Sequence, residues 1–348
     1  MYNSELVSAK KNIKWINLIK ATCIVFVFFR HVEINYDLYL GDFFDGIIST
    51  FYVNAFFFVS GYLLYRKQLS EPLVKETLGR YISKDGGGRT LAFNVLYRIV
   101  IPSIIFAAFE FFPSCIIQGR GVSVGNMLYK TIGGGTYWFT SALAVAQIVI
   151  LIFLCSRKKS MWFYVFFSII IGFLTLWVVN NGYSTNGFWA WREGLISLIF
   201  LAMGGLYWKY ERQIDSLRKW WVIILLLGLY LWMVSKCRDL CNPGLNTLTI
   251  QPLGFLTSLL SCILLVWVFK ISPEWKPLSF IGQYSLGFYF MSGALPITMS
   301  KVAHYLAPGI YGLLLPVLWV ICIVIAYLAV MIINRWVPWL WDLRKVRQ

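Results

Sequence analysis

Charge is what this chain has least of: 13% of its 348 residues are Asp, Glu, Lys or Arg, against 59% hydrophobic, and the mean hydropathy is +0.69. Soluble domains run at roughly 45–50% apolar and about 25% charged, so a water-soluble globular fold is excluded. Acidic residues are the scarcer sign, 15 against 31 basic, which leaves a net charge of +16. Histidine occurs twice, and the seven cysteines are scattered. No cluster of His, Cys, Asp and Glu has metal-ligand spacing, so no metal is expected. No Ser, His and Asp fall in a hydrolase order, and the run Gly86, Gly87, Gly88 is not followed by the Gly-Lys-Ser/Thr of a phosphate loop. No repeat of fixed period occurs. The polar start MYNSELVSAKKNIK runs into a full-length apolar segment without a small-residue cleavage site, so the first span is expected to be retained.

What is there in abundance is apolar sequence in runs long enough to cross about 30 Å of hydrocarbon. Bounded by charges or Gly/Pro clusters, they predict an all-α, polytopic helical bundle in a single domain, residues 1–348. Ten spans are expected: Ile13 to Ile34, Ile47 to Tyr65, Leu91 to Phe112, Tyr137 to Cys155, Met161 to Val179, Gly194 to Trp208, Trp220 to Val234, Ile250 to Phe269, Leu278 to Met299 and Gly312 to Asn334. An even number puts both tails on one side. Those tails carry Lys10, Lys11 and Lys14 in front and Arg335, Arg344, Lys345 and Arg347 behind, which predicts cytoplasmic termini. The basic excess follows the loops of that side, so it reads as the positive-inside pattern and no nucleic-acid partner is expected. The first outer loop, with Glu33, Asp37, Asp42 and Asp45, is acidic. The loop from Arg66 to Arg89 either folds over a phosphorylated ligand or only satisfies the orientation rule. Cys237 and Cys241 share an outer loop, where a short disulfide is one reading. Cys23, Cys155, Cys262 and Cys322 lie inside apolar runs as small hydrophobes.

Polar groups within those runs are the candidate site. Lys20 and His31 are separated by an interval that turns a helix through three circuits plus roughly 20° and advances about 16 Å, so one stripe carries a cation at one end and an imidazole at the other. Such a stripe suits a ligand with an anionic head and a distant reactive end, although a Lys near the start of a span is also a common snorkelling anchor. Asn17 shares the stripe. Arg98 lies inside the third span just before Pro102. Glu110 sits among phenylalanines, either as a functional carboxylate or at the interface; it is the preferred candidate to orient His31, with Glu33 a weaker one. Arg30 is expected to snorkel outward. Ser60 and Gly61 are expected to bring the second span close to the first beside His31. Trp138 reads as an interfacial anchor on physics alone. Trp189, Trp191, Arg192 and Glu193 look like the aromatic and hydrogen-bonding furniture of a sugar site, or an aromatic belt.

Several of these stretches together resemble the acyltransferase-3 family of integral membrane acyltransferases, which O-acetylate sugars of bacterial surface polysaccharides. Lys20 and His31 match its first-helix basic residue and histidine, with Asn17 where an Asp is frequent. FFFVSGYLL from Phe56 is similar to the second-helix FFxxSGYL, YRIVIP to the third-helix opening, YWFTSAL to the fourth, IFLAMGGLY to the sixth-helix FFxxG, and FIGQYSLGFYFMS to the ninth-helix IGxxSLxxYxxH. Three positions depart from the pattern: Val95 replaces the first of two arginines, Ser292 the ninth-helix histidine, and Arg30 a small or apolar residue. No SGNH-type domain follows the tenth span, so the membrane-only form is expected.

The resemblance implies a multi-pass protein of a bacterial inner membrane that moves an acetyl or other short acyl group from cytoplasmic acyl-CoA to a hydroxyl of a cell-surface polysaccharide or lipid-linked sugar. Lys20, Arg98, Asn17 and Ser60 would hold acetyl-CoA, His31 and Glu110 would serve catalysis, and Trp138, Trp189, Arg192 and Glu193 would receive the glycan. His31 would act as general base or as acyl acceptor. Membrane lipids are the remaining partner, and the oligomeric state is open. The alternatives are a lipid-linked saccharide exporter or a scaffold subunit of a polysaccharide synthase; an exporter should show repeats or matched broken helices.

Overall fold

The structure, a computed structural model, describes residues 13–35, 42–70, 92–119, 121–155, 161–181, 188–236, 252–306 and 311–341. Every regular element among them is helical. The Cys237 and Cys241 pair, the glycine run 86–88, Asp37 and the tail arginines after Trp341 lie outside the described residues.

In chain order the helices are α1 (Lys14–Asn35), α2 (Asp42–Phe51), α3 (Asn54–Ser70), α4 (Ile101–Gln118, entered through a π-turn Leu96–Val100), α5 (Val124–Thr131), α6 (Trp138–Cys155), α7 (Met161–Asn180), α8 (Trp191–Lys209), α9 (Glu211–Ser216), α10 (Trp220–Lys236), α11 (Pro252–Ile271), α12 (Lys276–Gln283), α13 (Ser285–Met291), α14 (Ala294–Leu306) and α15 (Tyr311–Trp336). Six helical stretches among the described residues are long and apolar enough to cross a membrane, and α6 and α10 are shorter apolar helices. The protein is thus all-α and polytopic. Outward faces carry stripes at helical spacing, such as Trp162, Phe166, Ile170, Leu174 and Trp177 on α7, where lipid rather than water meets them.

Two expected spans come out differently. The second begins earlier, at Asp42, and is interrupted before Asn54. The ninth is not one helix: Leu278 to Met299 is divided among α12, α13 and α14, with a break at Tyr284 (φ −103°, ψ 24°) and another around Ser292 and Gly293. Pro296 accounts for the second break, because it has no N–H to give to the carbonyl of Ser292 one turn back. Pro102 stands in the same relation to Arg98, and the ladder there shifts into the π-turn, with the Ile101 N–H reaching Leu96.

α1 is the central post, packed by α3, α11, α12, α13, α14 and α15. A close crossing away from this post lies between α3 and α8. A Cβ on Gly61 would lie 2.0 Å from the Leu201 carbonyl oxygen, and one on Gly204 would lie 1.9 Å from that of Phe58, so backbone meets backbone in both directions. Ser60 and Gly61 therefore do not pair beside His31 as expected. Successive helical positions are turned about 100° apart, so Gly61 meets α8 while Ser60 faces a cavity shared with Lys20.

Near the Lys20 end an ionic cluster joins four helices. Lys270, 9% exposed, sits 2.6 Å from both Glu211 and Asp215, which also accept from the hydroxyls of Tyr62 (2.8 Å) and Tyr207 (2.5 Å). The ammonium also lies over the rings of Trp15 and Tyr207. Removing the cation leaves two acids facing each other. Lys270→Met is expected to destabilise the protein by roughly 2–3 kcal/mol, at the low side for a buried pair because both acids keep some solvent contact. Thermal unfolding in detergent checks this; adding Glu211→Gln and Asp215→Asn to the variant should recover part of the loss.

Candidate functional site

Lys20 projects from α1 and Arg98 from the π-turn into one cavity of about 280 Å³, whose other polar lining is Ser60, Asn94, Gln147 and Ser285, with Phe56, Phe139, Leu143 and Tyr289 among its apolar walls. Among the described residues no carboxylate lines it and none forms an ion pair with Lys20. Two cations facing one cavity favour an anion between them. The lining therefore fits a phosphorylated head at Lys20 and Arg98, with amide and hydroxyl groups for a polar arm. The volume lies just below the usual range of ligand sites, roughly 300–1,000 Å³.

Asn17, expected on the same stripe, does not line the cavity. It is 5% exposed, its Nδ2 donates to Ser279 Oγ at 3.4 Å, and its carbonyl is where Gly282 of α12 passes, a Cβ there falling 1.9 Å from the oxygen. Asn17 thus joins α1 to α12, and Gly282 is the glycine of the FIGQYSLG stretch that makes the approach feasible.

Beyond the cavity along α13 comes His31. Tyr289 is in the cavity wall, and about one turn further the carbonyl of Ser292 is hydrogen-bonded to His31 Nδ1. Because Pro296 cannot use that carbonyl, it is free to face α1. A carbonyl only accepts, so Nδ1 carries the proton and, in the neutral ring, Nε2 carries the lone pair. The Ser292 side chain turns back to the Tyr289 carbonyl at 2.7 Å. Where the family pattern has a histidine, this chain contributes a main-chain oxygen.

The expected carboxylate partner is corrected accordingly. Glu110 comes to the same break from the other side: Tyr137 donates to its Oε2 at 2.5 Å and lies 2.9 Å from the Phe290 carbonyl, and a Cβ on Gly293 would be 3.2 Å from Oε1. Glu110 braces the break, while the group on His31 Nδ1 is the Ser292 carbonyl. Glu33 is not the orienting carboxylate either. Its Oε2 accepts from Arg30 at 2.6 Å, and Arg30 also pairs with Asp45 at 2.6 Å. Arg30 therefore does not snorkel; the break before α3 delivers Asp45 on α2 to meet it.

Of the remaining residues, Trp138 is half-buried with its ring edge-on to Phe139. Trp189 has its indole N–H on the Ile132 carbonyl at 2.8 Å and its backbone N–H on Gly133 at 2.9 Å, tying the start of α8 to the glycine turn before α6. Arg192 is buried beside Glu193. Tyr137, Tyr289 and the Ser292 carbonyl were not singled out from sequence; the available signal was Pro296 four positions after Ser292, which marks a carbonyl without its helical partner.

No curated protein and no solved structure matches the chain. The profile of one family does, described as an acyltransferase domain, over residues 13–335, and this range contains α1 with Lys20 and His31, the cavity and the broken helix. The chain belongs to the acyltransferase-3 family and is a membrane acyltransferase.

Proposed function

We propose that the protein transfers an acetyl or other short acyl group from acyl-CoA, bound from the cytoplasmic side, to a hydroxyl of a cell-surface polysaccharide or lipid-linked sugar in a bacterial inner membrane. The observation that carries this reading is the single line from the Lys20 and Arg98 cavity, along α13, to the turn that holds His31. The donor, when bound, supplies an activated acyl thioester. Lys20 and Arg98 hold its phosphates, and Ser60, Asn94 and Gln147 offer hydrogen bonds to its amide arm. The phenyl and leucyl walls keep water from the arm. His31, held through Nδ1, presents Nε2 either to take the proton of the acceptor hydroxyl or to accept the acyl group itself. The basic tails and loops support cytoplasmic termini, an orientation in which Lys20 lies towards the side where acyl-CoA is made.

Lys20→Met tests the donor half. A charge-assisted contact to phosphate is worth about 1.5–3 kcal/mol, so CoA is expected to bind roughly 10- to 100-fold more weakly, with an unchanged gel-filtration profile. Unchanged CoA affinity would remove Lys20 from the donor site.

A further inference from the structure

α8 starts on two left-handed residues, Trp189 (φ 62°) and Ala190 (φ 46°). Such backbone is unfavourable for residues with a Cβ and persists where the surroundings enforce it. Here the Gly133 and Ile132 carbonyls hold Trp189. The bend sets Arg192 and Glu193 side by side on the first turn of α8. Arg192 is 8% exposed, and the two charged groups approach to only 3.9 Å, beyond hydrogen-bond length. Arg192 Nε and Glu193 Oε2 are both buried and neither has a hydrogen-bond partner. Native proteins rarely leave a charged donor and a charged acceptor unsatisfied together.

An orphaned donor next to an orphaned acceptor is complemented by a group that does both, and a hydroxyl accepts from Nε–H while giving its own proton to the carboxylate. A carboxylate or phosphate would suit Arg192 and be repelled by Glu193; an ammonium would do the reverse. Phe188 and Trp191, which flank the left-handed pair in sequence, are 62% and 38% exposed, apolar faces of the kind on which a sugar ring rests. Trp189 connects this pair to the Ile132 to Tyr137 segment, and Tyr137 reaches the Phe290 carbonyl, two residues from Ser292, so the pair belongs to the His31 end of the molecule. We infer that Arg192 and Glu193 bind a hydroxyl of the acceptor, and that the part of the acceptor seated there is an uncharged sugar. This inference rests on the acyltransferase reading above.

The test compares wild type, Arg192→Gln and Glu193→Gln in membranes that contain the cell's own glycans, with labelled acetyl-CoA as donor and glycan-bound label as readout. The CoA-induced rise in melting temperature of the solubilised protein is measured alongside. Each substitution is expected to lower glycan labelling about tenfold and to leave the CoA-induced rise unchanged. If the acceptor is anionic there, Glu193→Gln raises labelling; if it is cationic, Arg192→Gln raises it; either result overturns the inference. Labelling unchanged in both variants means that water alone fills the pair, and a joint loss of labelling and CoA response means a structural role; both also overturn it. Should Arg192→Gln fail to fold, the sign of the Glu193→Gln effect decides. Absence of labelling by the wild type contradicts acyl transfer itself and is thereby distinguished from failure of the sugar assignment.

Discussion

His31→Gln is expected to lower acyl transfer by roughly 10²–10⁴-fold while CoA binding and the melting temperature stay near wild type. The magnitude is that of a positioned general base, and loss of a nucleophile would be at least as severe. The specificity of the effect follows from geometry: Lys20 and Arg98 line the cavity, whereas His31 is fixed beyond it on the Ser292 carbonyl. Glutamine retains a donor for that carbonyl but offers no basic nitrogen. Because only the main chain of Ser292 is used, Ser292→Ala should keep transfer within a few-fold of wild type, its hydroxyl being turned to Tyr289. Transfer rates and CoA affinities of the two variants, measured separately, check this. Near-normal transfer by His31→Gln would end the catalytic assignment.

Gly204→Ala is expected to yield little folded protein, a destabilisation of about 3 kcal/mol or more. Overpacked side chains usually relax at about 1–3 kcal/mol, but the new methyl would stand 1.9 Å from the Phe58 carbonyl oxygen, and main chain cannot rotate away. α3 and α8 would have to part by about 1 Å along a crossing that Gly61 closes from the other helix. Gly228 on α10 has no atom within 4 Å of its would-be Cβ, so Gly228→Ala is the matched control and should behave as wild type. Yield and monodispersity on gel filtration, compared for the two, decide the matter.

The long apolar helices were legible because lipid demands apolar length, and α1, α7, α11 and α15 lie within a few residues of where hydropathy put them. Lys20 and His31 were legible because helical periodicity aligns them. What hydropathy could not show is a backbone hydrogen bond that fails to form: α12 to α14 are continuously apolar, so they read as one span although Pro296 breaks them. The partners of the polar residues were illegible for another reason. Glu110 meets Tyr137, Arg30 meets Asp45 and Lys270 meets Glu211 and Asp215 across different helices, and sequence spacing sets faces within a helix but not between helices. Ser60 and Gly61 show the same limit, since a small-residue pair signals close packing without saying which helix comes close.

Acyl transfer across this bundle is tested most directly with purified wild-type protein in liposomes that contain the cell's lipid-linked glycans, with labelled acetyl-CoA supplied only on the face nearer Lys20. The expected result is alkali-labile label on the glycan, dependent on the protein and abolished by His31→Gln. Glycan that appears on the opposite face without label would contradict it and favour an exporter.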